Sequence, residues 1–267
     1  MKLDYGTQLS PAPLELSVGT VRKPTLREIS EITFGKFNFY EVLMDLTPKV
    51  YYEKILGGVE DVPWITMTED ERENAEIYDV LVRDEELQQL YEEMFNFFIE
   101  EEVVYAKGVF FVMKTGCTLE PPLKAEDLRG VIQKGNFKQV LGVLRQICCL
   151  GGDEEPDKPP KFKNKKAREI YEKIQKGKQK RKETKKHDVN LSIPNIISAV
   201  ANKHLSLNLV NIWDLTIFQL LDSFNRLQSN AMYDIDSMRV STWGDEKKTF
   251  DVSLWYKNYF EKNDQSK

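Results

Sequence analysis

Residues 84–113 read DEELQQLYEEMFNFFIEEEVVYAKGVFFVM, and this stretch decides the fold. Leu87, Leu90, Tyr91, Met94, Phe95 and Phe98 recur at i, i+3, i+4 and i+7, the period of an amphipathic helix. Glu85, Glu86, Glu92 and Glu93 fall on its wet side, and Asp84 stands where an N-cap belongs. After Glu100-Glu101-Glu102 the period changes to two. Val103–Ala106, Lys107-Gly108 and Val109–Met113 spell strand, tight turn and strand. A lone two-stranded ribbon is marginal in water, so the hairpin needs a partner strand. Residues 11–23 are the expected partner, because Leu14, Leu16 and Val18 alternate with Glu15, Ser17 and Gly19.

Around this centre the remaining signals are helical. Thr25-Leu26-Arg27-Glu28 and Thr68-Glu69-Asp70-Glu71 fit capping boxes, which predict helices from Leu26 and from residue 69 to about Val82. Phe37, Tyr40 and Met44 have helical spacing, and Pro48 follows as a stop or a new start. Residues 123–133 and 137–150 read as two short helices broken by Gly135-Asn136. Toward the C-terminus, Ser192 is a plausible N-cap with Pro194 in the first turn, and Ile196, Ile197 and Val200 supply a buried face. Residues 212–227 form the most apolar predicted helix, and a further one covers 231–239. Trp243-Gly244 breaks the pattern before a terminal aromatic group of Leu254, Trp255, Tyr259 and Phe260.

The chain has 267 residues, 41% apolar and 30% charged, enough for one large core or two modest ones. Its net charge of −5 conceals an asymmetry. Residues 158–186 hold 14 Lys/Arg and three acids, a net of +11, which leaves 24 basic and 40 acidic residues elsewhere. Residues 151–160, rich in Gly, Pro and acids, precede this block and read as a linker. The expected fold class is mostly α, formally α+β. A helical module with a small antiparallel sheet spans 1–150, a basic linker with an amphipathic helix spans 151–188, and a second helical module spans 189–267.

No stretch approaches the ~18 consecutive apolar residues of a membrane span. Met1-Lys2-Leu3-Asp4-Tyr5 continues into polar and turn residues, so no secretory segment is expected. Cys117, Cys148 and Cys149 are the only cysteines, and His187 and His204 the only histidines, which excludes a disulfide scaffold and a zinc finger. Adjacent Cys148 and Cys149 on an apolar helix face read as buried thiols. Asp234 and Asp236 have the spacing of some metal-binding acids, but on a helix they point ~200° apart. No activated nucleophile, phosphate-cradling glycine run, metal or cofactor is therefore expected, and no enzymatic activity.

The basic segment leaves three readings open. It is a solvated tether, or it binds nucleic acid through Lys165, Lys166, Arg168, Lys173, Lys176, Lys180, Arg181 and Lys182. The third is a helix that docks on an acidic surface through Ala167, Ile170, Tyr171 and Ile174, since a tether needs no apolar stripe. Against the second, few aromatics are present for base stacking.

Leu26-Arg27-Glu28-Ile29-Ser30-Glu31-Ile32-Thr33-Phe34-Gly35-Lys36-Phe37-Asn38-Phe39-Tyr40 resembles the opening of tail-assembly chaperones of tailed bacteriophages. Residues 193–204 (IPNIISAVANKH) and 211–227 (NIWDLTIFQLLDSFNRL) are similar to the C-terminal part of the same kind of protein. The resemblance covers about half the chain in two blocks and carries no catalytic motif. It implies a helical, non-enzymatic protein in the host cytoplasm that shields the hydrophobic tape-measure protein and helps recruit tail-tube subunits. A homo-oligomer is compatible with that role. The expected partner contacts are Phe37, Tyr40, Trp213, Ile217, Phe218, Leu221 and Phe224. Residues 212–227 carry more apolar side chains than one buried face requires, although a central core helix is a competing reading.

Overall fold

Asp84 caps the helix that organises the N-terminal half, its carboxylate accepting from Leu87 N at 2.8 Å. In the computed structural model, which describes residues 1–52, 63–114, 116–117, 125–150, 189–246, 248–258 and 260, the chain is mostly helical. Two small antiparallel sheets lie in its N-terminal half. Residues Met1–Leu150 with Leu215–Phe218 form one compact unit, and Gly151–Asp214 with Gln219–Lys267 form the other.

In the first unit, short helix α1 (Tyr5–Leu9) leads to the hairpin β1 (Leu14–Leu16) and β2 (Gly19–Val21), paired Leu14↔Val21. α2 (Leu26–Ile32) starts with the predicted capping box, and α3 (Phe34–Met44) follows after Thr33, held at φ +79°. Short helices α4 (Pro48–Val50), α5 (Pro63–Thr66), α6 (Glu69–Asn74) and α7 (Ile77–Leu81) lead to α8 (Glu85–Phe98). Pro48 thus opens a helix, since its missing N–H is unneeded in a first turn. Strands β3 (Val103–Ala106), β4 (Val109–Met113) and β5 (Leu128–Ile132) form the second sheet in that order. Lys107 at φ +51° and Gly108 at φ +82° make its tight turn, in the left-handed region that type I′ turns require. α9 (Lys134–Ile147) closes the unit.

Four expectations are corrected. The third strand of the hairpin sheet is β5, not the N-terminal segment, and residues 128–132 are extended rather than helical. The β-branched Val131 and Ile132 favour a strand there once β4 offers an unpaired edge. The N-terminal segment instead folds back on itself and bonds to the end of α8, with Arg22 N donating to Phe98 O and Glu100 N to Thr20 O, both at 2.9 Å. It touches β5 through Arg129, which pairs with Glu15 at 2.9 Å, and at Gly130, where a Cβ would lie 2.5 Å from the Val18 carbonyl oxygen, so glycine alone fits. Second, the helix predicted from 69 to about Val82 is two, because Ala75 and Glu76 are extended. Third, Gly135-Asn136 does not break a helix: Asn136 Oδ1 accepts from Gln133 N at 2.8 Å and caps α9. The fourth concerns the second unit.

The core of the first unit is aromatic. Phe95 meets Phe110 at 5.0 Å and Phe137 at 6.0 Å between ring centroids, and Phe137 also meets Tyr78 and Tyr91. Tyr91, fully enclosed, donates its hydroxyl to Leu43 O at 2.7 Å, which satisfies the one polar atom it buries.

In the second unit a short 3-10 turn (Val189–Leu191) precedes α10 (Ile193–Lys203), with Ser192 at its N-cap position and Ile196, Ile197 and Val200 buried. His204 ends it, its Nδ1 accepting from Leu207 N at 3.1 Å. The helices predicted at 212–227 and 231–239 are corrected to a 3-10 turn (Ile212–Asp214) and one 27-residue helix, α11 (Ile217–Trp243). Gln228-Ser229-Asn230 is polar but contains no Gly or Pro, so nothing stops the helix between the two apolar runs. Gly244, at φ +76°, ends it.

Candidate functional site

Ionisable groups gather in the first unit where the end of α9 meets α3. Glu41 is pushed up to about 7, first by burial and then by Asp45, which itself pairs with Arg145 at 2.9 Å. Burial, with Glu41 adding, raises Cys149 to about 12, and Cys148 is also held well above its ordinary value. Both thiols therefore stay protonated at neutral pH, the opposite of what a nucleophilic or metal-binding cysteine needs.

A small, mostly apolar pocket in the same unit is lined by Gln8, Lys23, Ile29, Phe37, Cys148 and Ile217, among others. Lys23 is buried, and its ammonium donates to the carbonyls of Thr7 and Ser10. It thereby satisfies carbonyls at the end of α1. Burial lowers its pKa, an effect partly offset by Asp4. Among the described residues no group of three or more His, Cys, Asp or Glu is placed to hold a metal ion, and no helix is long and apolar enough to cross a membrane.

The sequence-predicted contacts scatter. Phe37 and Tyr40 are only 1% exposed and lie against Phe97 and Phe98, so they are core side chains and the partner role does not extend to them. Ile217 is buried as well, and Phe218 sets its ring against Tyr5 at 5.9 Å. Trp213 lies in the 3-10 turn, half-buried, with Nε1 donating to Leu209 O at 2.8 Å. Leu221 and Phe224 are half-buried on α11. The predicted contact Lys165 and its basic neighbours through Lys182 lie outside the described residues, as does the predicted amphipathic linker helix.

What the structure brings together lies further along α11. Met232, Ile235 and Met238 are 60%, 63% and 62% exposed, and Trp243 at the end is 81% exposed. At ~100° per residue the three form one stripe that continues Leu221 and Phe224. The covered side of this half is the opposite one. Ser229 is buried there, and Tyr233 meets Phe250 at 5.5 Å. The loop carrying Phe250 is pinned by Asp245, whose carboxylate accepts from Thr249 N and Phe250 N at 2.9 Å. The helix therefore has two apolar sides, one closed by its own chain and one open. Sequence reading missed Met232, Ile235 and Met238 because a break was placed between 227 and 231. The signal that finds them is a 3–4 spacing running unbroken through that gap.

A family model described as YomV second domain, a phage-associated family, matches residues 180–260, and with them all of α11. The chain has no significant match to a curated protein or to a solved structure.

Proposed function

We propose that this chain is a phage-associated interaction protein that acts by holding another polypeptide, in the manner of a tail-assembly chaperone. Its partner on this reading is a hydrophobic, helix-rich tail protein such as the tape-measure protein. The open apolar face of α11 carries the proposal. Three large side chains more than half exposed on one stripe, ending at a tryptophan, give a helical partner a strip to bury and an anchor to bury it around. The phage-associated match spans this face. Neither raised-pKa thiol near Glu41 offers a competing covalent chemistry at neutral pH.

The test is co-expression with the tape-measure protein encoded in the same genome. The intact chain is expected to keep that protein soluble and to co-purify with it, whereas Ile235→Asp with Met238→Asp loses both effects and stays folded by circular dichroism. A tape-measure protein that is no more soluble with the intact chain than without it overturns the reading. A nucleic-acid contact through Lys165, Lys166, Arg168, Lys173, Lys176, Lys180, Arg181 and Lys182 draws on the +11 charge of residues 158–186. Deleting those residues separates the two: it removes salt-sensitive DNA binding under that reading and leaves tape-measure solubility intact under the first.

A further inference from the structure

We infer that the open face of α11 pairs with the same face of a second copy of this chain, as a short parallel two-stranded coiled coil. The inference rests on that face being a contact surface, as in the proposed function, and it names the occupant in the absence of a tail protein.

The register supplies the first argument. Leu221, Phe224, Gln228, Ala231, Ile235, Met238 and Thr242 follow the alternating three- and four-residue steps of a heptad seam. Ile235 and Met238 form its apolar centre, and both are more than half exposed. A helix held only by its own core has no reason to keep this period on the side facing water. Ser229 and Tyr233, on the side already closed, lie off the seam.

Charge supplies the second. Residues flanking the seam pair between helices, and in a parallel coil a residue on one flank meets the residue five positions later on the other chain. Asp234 and Arg239 are five apart and fall on those two flanks. Two symmetry-related Asp234–Arg239 pairs would therefore bracket Met238 on either side. An antiparallel arrangement sets like flanks against each other and keeps these two charges apart. Arg239 Nε now lies 3.2 Å from Asp236 of its own helix, an exposed i, i+3 pair that leaves the remaining guanidinium nitrogens for a partner. The preceding flank pair in the same register, Leu227 with Met232, is apolar on both chains and extends the seam.

Length sets the strength. The open part, residues 228–242, is about two heptads, or ~22 Å, short of the ~3–4 heptads over which a coiled coil is firmly specified. Pairing is therefore expected to depend on concentration and to yield to a longer apolar helix, as a holding protein requires.

Sedimentation equilibrium of the intact chain from about 1 to 200 μM provides the test. The expected result is a mass that rises from 31.1 kDa toward twice that value. Ile235→Asp should hold the mass at one chain throughout with an unchanged circular dichroism spectrum. Asp234→Arg should weaken pairing at least several-fold, and Asp234→Arg combined with Arg239→Asp should restore it. Thr242→Cys, on the seam, should form a covalent dimer under mild oxidation while the parent chain, with its own three cysteines, does not. A single-chain mass at every concentration overturns the inference, as does a dimer indifferent to Ile235→Asp. A dimer in which the Thr242→Cys positions fail to cross-link overturns the parallel register. If the chain is monomeric yet Ile235→Asp still abolishes tape-measure solubility, the self-pairing is wrong and the proposed function stands. If it dimerises as described but never solubilises the tape-measure protein, the proposed function falls alone.

Discussion

Phe95 and Met238 are both large apolar residues late in amphipathic helices, and the chain treats them in opposite ways. Phe95 is wholly enclosed, with Phe110, Phe137 and Tyr91 rings around it, while Met238 stands 62% exposed. The difference lies in what surrounds each helix in sequence. α8 runs straight into a hairpin whose Phe110, Val112 and Met113 turn inward, and α9 follows with Phe137 and Leu144 on its buried face. Among the described residues after α11, the loop carrying Phe250 packs on the side bearing Tyr233, away from Met238. An apolar stripe is therefore core where neighbouring elements close over it, and stays exposed where, as at Met238, they do not.

The sharpest way to break this comparison is to truncate the enclosed side chain. Phe95→Ala removes a ring packed against three others, and large-to-small changes of this kind cost roughly 3–5 kcal/mol. Hydrogen exchange across residues 85–113 and 128–147 should accelerate together in this variant, because α8, the second sheet and α9 share that cluster. Protection in α9 that survives the loss of the ring would mean the first unit does not fold around it.

How much of this was legible in the sequence follows the same division. The α8–β3–β4 run could be read residue by residue, because helix cap, helix period, turn glycine and strand period all agree locally. β5 was not legible. Leu128, Val131 and Ile132 fit a helix as well as a strand, and the choice is made by the free edge of β4, some 20 residues away in sequence. The candidate surface was legible only in part. Leu221 and Phe224 lie on the stripe that Met232, Ile235 and Met238 continue, but Phe37 and Tyr40 could not be told from surface aromatics, since their burial comes from Phe97 and Phe98 on another helix. The open part of α11 needed only the recognition that Gln228-Ser229-Asn230 lacks a breaker.

An intermediate effect sharpens the comparison through pH. Glu41 holds its proton up to about pH 7 in the folded protein, against 4.5 for its ordinary value. Its contribution to stability is therefore fully present below about pH 4.5 and is lost as pH rises through 7. Across that window the slope is at most about 1.4 kcal/mol per pH unit. Glu41→Gln should flatten it, with a higher melting temperature than the parent at pH 8 and little difference at pH 5. The exposed carboxylates of Asp4, Glu71, Asp245 and Asp251 have their pKa values lowered, so their effects fall at more acidic pH and leave this window clear. An equal slope in the variant would mean that Glu41 is not desolvated by its surroundings on α3 and α9.

The smallest expected effect is the most informative about α11. Met238→Ala in a chain held near 1 μM should change unfolding free energy by no more than about 0.5 kcal/mol, the range of ordinary surface substitutions. Two contributions oppose each other. Little of the Met238 side chain is shielded, so little transfer free energy is lost when it is cut back. Alanine is the better helix former by a few tenths of a kcal/mol, which offsets what is lost. The same substitution at Phe95 is several kcal/mol costly, so the pair of alanine variants measures how differently the two helices use an apolar residue. Raising the protein concentration then changes the answer at one site only. If Met238 is buried by a second polypeptide, the stability difference between parent and Met238→Ala grows with concentration or with added partner, while that of Phe95→Ala stays fixed. A Met238→Ala cost that is large already at 1 μM would mean the side chain is covered within a single chain, and the open face of α11 would then be closed by its own protein.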